Sequence, residues 1–107
     1  MRVAELEAKV AGYVCFGPTP MAFGTWDLYW LATHPVFRGR GVGGSLVVAM
    51  ETELRQYGAR LVRVETSHLE SYGAAHRFYQ RHGYPEVARL PNFYQPGDDL
   101  VIMLKTL

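Results

Sequence analysis

The segment Arg38–Gly44 places four glycines and two arginines directly before an amphipathic stretch of the chain. Glycine is costly at the start of a helix unless the backbone must approach another group closely. The first turn of a helix has N–H groups without intrahelical acceptors and a partial positive charge, and such a turn binds phosphate. Arg38 and Arg40 add to this positive field. The segment therefore predicts a pyrophosphate cradle at a helix start.

The glycines alone leave the identity of the phosphate compound open. The spacing Gly39-x-Gly41-x-x-Gly44 also matches the fingerprint of dinucleotide-binding βαβ units, and Glu65 follows where a ribose-binding acid would stand. Against a dinucleotide site, a link containing a proline separates the glycines from the preceding strand, and the chain opens with a predicted hairpin. A Walker-type loop is excluded because no Gly-Lys-Ser/Thr follows the glycines. A glycine-rich turn without a ligand is the remaining alternative.

The stretch LYWLATHPVFRGRGVGGSLV resembles the central motif of the GNAT superfamily of N-acetyltransferases. In that motif a strand and a short link are followed by Gln/Arg-x-x-Gly-x-Gly/Ala at a helix start, and Arg38, Gly41 and Gly43 occupy these positions. The later segment AAHRFYQRHGY is similar to the second conserved helix of the family. The resemblance covers nearly the whole chain. It implies direct transfer of acetyl from acetyl-coenzyme A to an amine, borne by a small molecule or a peptide.

The resemblance also implies how acetyl-coenzyme A is held. Backbone groups at the end of the central strand would bind pantetheine as an added strand does, and the glycine turn would bind the pyrophosphate. On this basis the expected cofactor-binding residues are Leu31, Ala32, Thr33, Arg38, Gly39, Arg40, Gly41, Val42, Gly43 and Gly44. One departure from the family is Tyr72, which stands where an Asn usually reaches the cofactor.

Two residues are expected to be catalytic. Tyr79 matches the family tyrosine that protonates the departing thiolate, and a phenol can donate a hydrogen bond to that thiolate as it forms. Asp27 matches the position of a carboxylate that deprotonates the amine, and strand interiors otherwise disfavour aspartate. The structural alternatives are core packing for Tyr79 and a hydrogen bond to the neighbouring loop for Asp27. Glu65 and His68 are the reserve candidates for the base.

Hydrophobic patterning predicts the elements that position these residues. Two β-rich runs joined at Glu7-Ala8 predict a hairpin, and Thr25–Thr33 predicts a central strand covered on both faces. Helical spacing follows over Arg38–Tyr57 and over Ser71–His82, with Ser71 as the expected N-cap. The remaining predicted strands are Leu61–Thr66, Val87–Leu90 and Leu100–Leu104, with a loop between the last two. The predicted fold is a single α/β domain, residues 1–107, with one mixed, mostly antiparallel sheet in the order β-β-β-α-β-α-β-β.

Composition narrows the function classes. A net charge of +1 without a basic run argues against a nucleic-acid groove, and no apolar stretch is long enough to cross a bilayer. The single cysteine, Cys15, excludes an internal disulfide framework and a Cys-rich zinc site, and the spacing of the histidines gives no metal site. The first residues lack the apolar core of a signal peptide, so a cytoplasmic protein is expected.

The resemblance begins at the second strand of the family, without the first strand and the two helices that wall the acceptor site. Apolar surface would then be exposed beside the edge strand Arg2–Leu6, and we expect a homodimer that covers it. The alternative to an enzyme is a coenzyme A-binding module that does not catalyse, because that wall is missing.

Overall fold

A computed structural model describes residues 2–6 and 9–107, and the predicted turn at Glu7-Ala8 lies outside the described residues. The predicted order of elements is confirmed. The strands are β1 (Arg2–Leu6), β2 (Lys9–Pro18), β3 (Thr25–Thr33), β4 (Leu61–Ser67), β5 (Glu86–Gln95) and β6 (Asp98–Thr106), and the helices are α1 (Val42–Gln56) and α2 (Gly73–Arg81). One sheet contains the strands in the order β1-β2-β3-β4-β6-β5, and β3 pairs with β4 in parallel. Over the described ranges, no helix has the length and apolar character needed to cross a membrane.

One buried cluster joins α1 to the sheet. The helix contributes Val42, Leu46, Val47, Met50 and Leu54, at the helical spacing predicted from the sequence, and the strands contribute Val14, Leu28, Val62, Val64, Val101 and Met103. Full burial of one such side chain stabilises the fold by about 1.5–3 kcal/mol. Gly12 allows close approach of both β3 and α1, because a Cβ there would lie 2.5 Å from the backbone oxygen of Ala32 and 3.0 Å from Cγ1 of Val42. This packing fixes where the first turn of α1 lies relative to β3.

A buried polar network attaches α1 to β6 and to the end of α2. Glu51 is 4% exposed, and its carboxylate accepts hydrogen bonds from the hydroxyl of Tyr84 at 2.7 Å and from Nζ of Lys105 at 2.9 Å. Lys105 Nζ also donates to the backbone oxygen of His82 at 2.9 Å. A buried carboxylate is costly unless it is paired, and here each oxygen has a donor. The network therefore holds both helices in one position relative to the sheet.

The segment between Leu90 and Gln95 is strand rather than the predicted loop. Leu90 pairs with Leu100 and Gln95 with Asp98, so that Asp99 alone lies opposite the four residues 91–94 of a wide bulge. The bulge is held by side chains. Asn92, at φ 55°, donates its backbone N–H to the carboxylate of Asp99 at 2.8 Å, and its side-chain oxygen accepts from Gly97 N at 2.8 Å.

Both helices begin later than predicted. Gly39 and Gly41 have φ of 79° and 75°, so residues 38–41 form a turn and α1 starts at Val42. The prediction that Ser71 caps the second helix is wrong, because Glu70–Tyr72 forms a 3₁₀ turn and α2 starts at Gly73. Neither helix has a side-chain hydrogen bond at its N-cap. The first N–H groups of α1 are therefore not occupied by a capping side chain.

Candidate functional site

The strands β3 and β4 separate along their length. Within the described ranges they pair only over residues 25–27 of β3 and 61–63 of β4. Immediately beyond this, the register between β2 and β3 shifts, which leaves Tyr29 as an extra residue on β3. A bulge of this kind bends its strand and increases the local twist. The result is a wedge whose two sides are the unpaired edges of β3 and β4.

An ion pair closes the narrow end of the wedge. Arg63 and Asp27 are the last residues that pair between β4 and β3. Nε of Arg63 lies 2.7 Å from Oδ1 of Asp27, and Nη2 lies 3.2 Å from Oδ2. Asp27 is buried, and its hydrogen bond is the main reason why the pKa of Arg63 is raised. Bidentate pairs of this kind are among the stronger polar contacts in proteins.

The glycine turn lines a hollow of about 720 Å³ at one end of the wedge. Eight of the ten predicted cofactor-binding residues line it, namely Leu31, Thr33, Arg38, Gly39, Gly41, Val42, Gly43 and Gly44. Ala32 lies instead at a smaller hollow of about 220 Å³ beside Tyr13, and the guanidinium of Arg40 lies 5.3 Å from the centre of the Phe37 ring. The structure thus brings most of the predicted set to one surface.

The four glycines have two different physical roles. Gly39 and Gly41 need glycine for their positive φ, and a Cβ on either would meet nothing within 4 Å. Gly43 and Gly44 need it for packing, because a Cβ there would lie 3.3 Å from the ring of Phe78 and 3.2 Å from that of His82. The sequence-based interpretation assigned all four to close approach of phosphate. In the structure two of them also allow α1 and α2 to approach each other.

The hollow beside the glycine turn is positively charged. Arg38 and Arg81 line it, together with the start of α1, and its described lining contains no carboxylate. The prediction omitted Arg81, which lies on α2 three residues after Phe78. Their helical spacing places the two side chains on one face of α2. The spacing of Phe78 and Arg81 can be read from the sequence, but which face of α2 the fold leaves uncovered cannot.

Two adjoining hollows, of about 630 and 330 Å³, occupy the rest of the wedge. Both are lined by Tyr29, Trp30, Glu65 and Tyr94, and Asp98 lines the larger. Tyr29 and Trp30 are 52% and 69% exposed, so the prediction that β3 is covered on both faces is wrong at these positions. At the bulge of β3 these two residues line the wedge without being covered by a packed layer, and the ring of Tyr29 lies beside Gly17 of β2.

Tyr79 lies where the hollows meet. It lines both the 720 Å³ hollow and the 630 Å³ hollow, as do Leu31 and Ala75. The residue is 8% exposed, and burial raises the pKa of its phenol to about 12. The hydroxyl therefore stays protonated at neutral pH and can act as a hydrogen-bond donor at this junction.

The three candidate bases have different surroundings. Asp27 lines the 330 Å³ hollow, but both of its oxygens are bound by Arg63. Glu65 lines both hollows of the wedge, its side chain is 43% exposed, and its contact with Arg63 is longer, at 3.6 Å. Nδ1 of His68 accepts a hydrogen bond from the backbone N–H of Asp99 at 2.7 Å, which gives that histidine a structural role.

Comparison with known proteins gives consistent matches. The family model for the acetyltransferase (GNAT) domain matches residues 1–86. An uncharacterized N-acetyltransferase of Methanocaldococcus jannaschii is 30% identical over 106 residues, which cover 96% of this chain and 64% of the relative. A solved GNAT-family protein from Desulfovibrio desulfuricans is 39% identical with a TM-score of 0.94, covering 97% of this chain and 66% of that one. An aminoglycoside 6'-N-acetyltransferase complexed with coenzyme A shares the fold at 22% identity, with a TM-score of 0.82, and the match covers 97% of this chain and 70% of that protein.

The ion pair at the narrow end of the wedge should contribute measurably to stability. We expect a double-mutant cycle of Asp27→Asn and Arg63→Gln, followed by urea unfolding, to give a coupling free energy of about 1–3 kcal/mol. The control cycle is Glu86→Gln with Arg89→Gln, an exposed pair at 2.8 Å, for which about 0.5 kcal/mol or less is expected. Equal coupling in the two cycles would show that this pair contributes no more to stability than an exposed pair does.

Proposed function

Because the chain belongs to the GNAT acetyltransferase family, we propose that it transfers the acetyl group of acetyl-coenzyme A to an amine. The observation that carries the proposal is the wedge between β3 and β4. It joins a positively charged hollow to one lined by carboxylates and aromatic rings, with Tyr79 at the junction. An anionic donor in the first hollow would present its thioester near Tyr79 to an amine in the second.

The charged hollow suits two parts of coenzyme A, the pyrophosphate and the pantetheine arm. Its pyrophosphate would accept hydrogen bonds from the first N–H groups of α1, which have no intrahelical acceptors. Arg38 and Arg81 would add positive charge, and the open space at Gly39 and Gly41 leaves the turn accessible. The pantetheine arm would pair with the unpaired edge of β3 over residues 31–33, as an added strand does. A protein with the same fold has been solved in complex with coenzyme A, which supports coenzyme A as the ligand but not a particular set of contacts.

The reaction balances without a covalent enzyme intermediate. The neutral amine nitrogen attacks the thioester carbonyl carbon, a C–N bond forms, and the C–S bond breaks with its electron pair on sulfur. The proton of the amine passes to a base and then to solvent. Tyr79 donates a hydrogen bond to the thiolate, but a thiol, at about 8.5, is a much stronger acid than a phenol at about 12. The proton that finally converts the thiolate to a thiol therefore comes from solvent, while Tyr79 stabilises the charge before it arrives.

Of the two carboxylates that could act as the base, Glu65 is the better placed. A base must offer an accessible lone pair to the amine. In Asp27 both oxygens already accept hydrogen bonds from a guanidinium, so neither offers the amine an unoccupied position of that kind. Glu65 faces both hollows and has the longer contact with Arg63. We therefore assign proton removal to Glu65 and the closing of the wedge to Asp27, with Asp27 as the competing base.

A coenzyme A-binding module without catalysis is not favoured, since the described part of the chain has both a hollow for an acceptor and a tyrosine at the junction. The chain spans 64% of the length of its Methanocaldococcus relative, so the activity of the whole protein remains a proposal. The homodimer and the cytoplasmic location expected from the sequence stay predictions.

Replacing Gly41 by valine should abolish binding of acetyl-coenzyme A. A β-branched residue is strained at φ 75°, and its side chain would occupy the open face of the cradle. Isothermal titration calorimetry measures the affinity. The matched control is Gly58→Val, which has the same strain at φ 76° and the same open space but lies beyond the other end of α1. Both variants should be less stable than the wild type, but only Gly41→Val should lose binding. Equal affinities of the two variants for acetyl-coenzyme A would contradict the cradle.

The variant Tyr79→Phe should lower kcat by about 10 to 10⁴-fold while cofactor affinity survives. Because burial raises the pKa of Tyr79 to about 12, the wild-type rate should show no loss from ionisation of this phenol up to about pH 10. The control is Tyr84→Phe, a neighbouring tyrosine whose ring centroid lies 5.9 Å away and whose hydroxyl bonds to Glu51. It should affect stability more than turnover. Unchanged kcat in Tyr79→Phe would remove Tyr79 from the mechanism.

The base is identified by comparing acceptors of different basicity. An alkylamine is protonated at pH 7 and must lose a proton before it can attack, whereas trifluoroethylamine is largely neutral and needs no deprotonation before attack. Glu65→Gln should therefore slow acetylation of an alkylamine by about 10² to 10⁴-fold and that of trifluoroethylamine far less. Asp27→Asn should slow both acceptors similarly, through its effect on the wedge. The reverse pattern would assign the base to Asp27.

A further inference from the structure

The acceptor end of the wedge has an excess of negative charge. Its two hollows are lined by three carboxylates, those of Asp27, Glu65 and Asp98, and by the single guanidinium of Arg63 in the described lining. Arg63 is committed to Asp27 in a bidentate pair. Glu65 has only the longer contact with Arg63, at 3.6 Å, and Asp98 has no ion pair among the described residues, so these two carboxylates can act on whatever enters the wedge. Such a site favours cations and opposes anions.

Asp98 is the residue whose charge most needs a partner. It is 8% exposed, and its carboxylate accepts a hydrogen bond from the hydroxyl of Ser67, which is a neutral donor. Among the side chains that the structure describes, Asp98 belongs to no ion pair. Buried carboxylates in proteins are usually paired with a cation, because desolvation of the charge is costly. Asp98 faces the hollow of about 630 Å³, so a cation bound there would reduce that cost.

Aromatic rings complete this end of the wedge. Tyr29 and Trp30 come from the bulged part of β3, and Tyr94 comes from the wide bulge of β5 on the opposite side. Tyr94 lines the same hollow as Glu65 and Asp98, and burial together with these two charges raises the pKa of its phenol. Electron-rich ring faces attract ammonium groups, and more strongly where water is excluded. Rings and carboxylates together form the type of site that binds an organic cation.

We propose that the acceptor is a diamine-type molecule. In it, the amine that is acetylated is joined by a short chain to a second amine, which stays protonated at neutral pH. This inference rests on the proposed acetyl transfer. The attacking amine lies at the Tyr79 junction beside Glu65, and the second ammonium lies between Asp98 and the ring of Tyr94. The two bulges that bring these rings together are features of this fold that a simple antiparallel sheet would lack.

Three acceptors of equal chain length test the proposal. Cadaverine has a distal ammonium group, aminopentanol a hydroxyl and aminopentanoate a carboxylate. With acetyl-coenzyme A and the full chain, kcat/KM should fall by about 10-fold or more from cadaverine to aminopentanol, and again from aminopentanol to aminopentanoate. The value for cadaverine is first divided by two, because cadaverine has two equivalent amines. The preference should also shrink as ionic strength rises, because the attraction is electrostatic. Equal kcat/KM for cadaverine and aminopentanol would overturn the proposal.

Substitutions in the wedge test where the second ammonium group of the acceptor binds. Asp98→Asn keeps an oxygen for the Ser67 hydroxyl and should reduce the preference for cadaverine over aminopentanol by about 10-fold, and Tyr94→Leu should reduce it by a smaller factor. The matched control is Glu86→Gln, which removes one negative charge from the exposed part of β5 outside the wedge and should leave the ratio unchanged. If Asp98→Asn does not fold, Tyr94→Leu alone decides. A ratio that both Asp98→Asn and Tyr94→Leu leave unchanged would contradict the assigned position.

A binding measurement separates failure of this inference from failure of the proposed function. Trp30 is 69% exposed in the wedge, so its fluorescence should respond to cadaverine at lower concentration than to aminopentanol, whether or not turnover occurs. Acetylation of aminopentanol at the same rate as cadaverine would refute the diamine acceptor while leaving acetyl transfer intact. Preferential binding of cadaverine without acetylation of any amine would refute the transfer and support the cation site.

Discussion

The separation of β3 from β4 is the constraint on which the site depends. Two parallel strands at the centre of a sheet would normally pair along their whole length, and here pairing ends at the ion pair of Asp27 with Arg63. The extra residue at Tyr29 then bends β3 away. The cost is a set of backbone groups without partners in the sheet. The gain is a wedge in the middle of the domain, with polar backbone on both sides, where an extended ligand can replace the missing strand contacts.

The rest of the fold holds this wedge open at a fixed width. Apolar packing of α1 on the sheet and the Glu51 network at β6 position the helix relative to strands on both sides of the gap. Gly43 and Gly44 allow α2 to come close to the first turn of α1, so Tyr79 is placed at the point where the hollows meet. Glycine therefore has two functions within a few residues. Gly39 and Gly41 allow a backbone conformation that exposes N–H groups, and Gly43 and Gly44 allow close packing of the two helices.

Much of the fold and part of the site could be predicted from the sequence. Element order and the positions of Tyr79 and the glycine turn follow from periodicity and from the family motif, which are local in the chain. The wide bulge of β5 could not be predicted, because it depends on the carboxylate of Asp99 meeting Asn92 across the hairpin. The partner of Asp27 could not be predicted either, since Arg63 is 36 residues away and the contact exists only once two strands are parallel. Arg81 and Tyr94 were missed for a similar reason, because their exposure to the wedge depends on which face of each element the fold leaves uncovered.

The distribution of charge along the wedge follows from the chemistry of the proposed transfer. One end offers arginines and helix N–H groups to a polyanion, and the other offers carboxylates and rings to a cation, so the two substrates are attracted to different ends and neither blocks the other. Acetylation converts an ammonium group to a neutral amide. The product therefore has one positive charge fewer than the substrate, and its attraction to Glu65 and Asp98 is weaker. A site that binds its acceptor through charge thus favours release of that acceptor once the reaction has removed part of the charge.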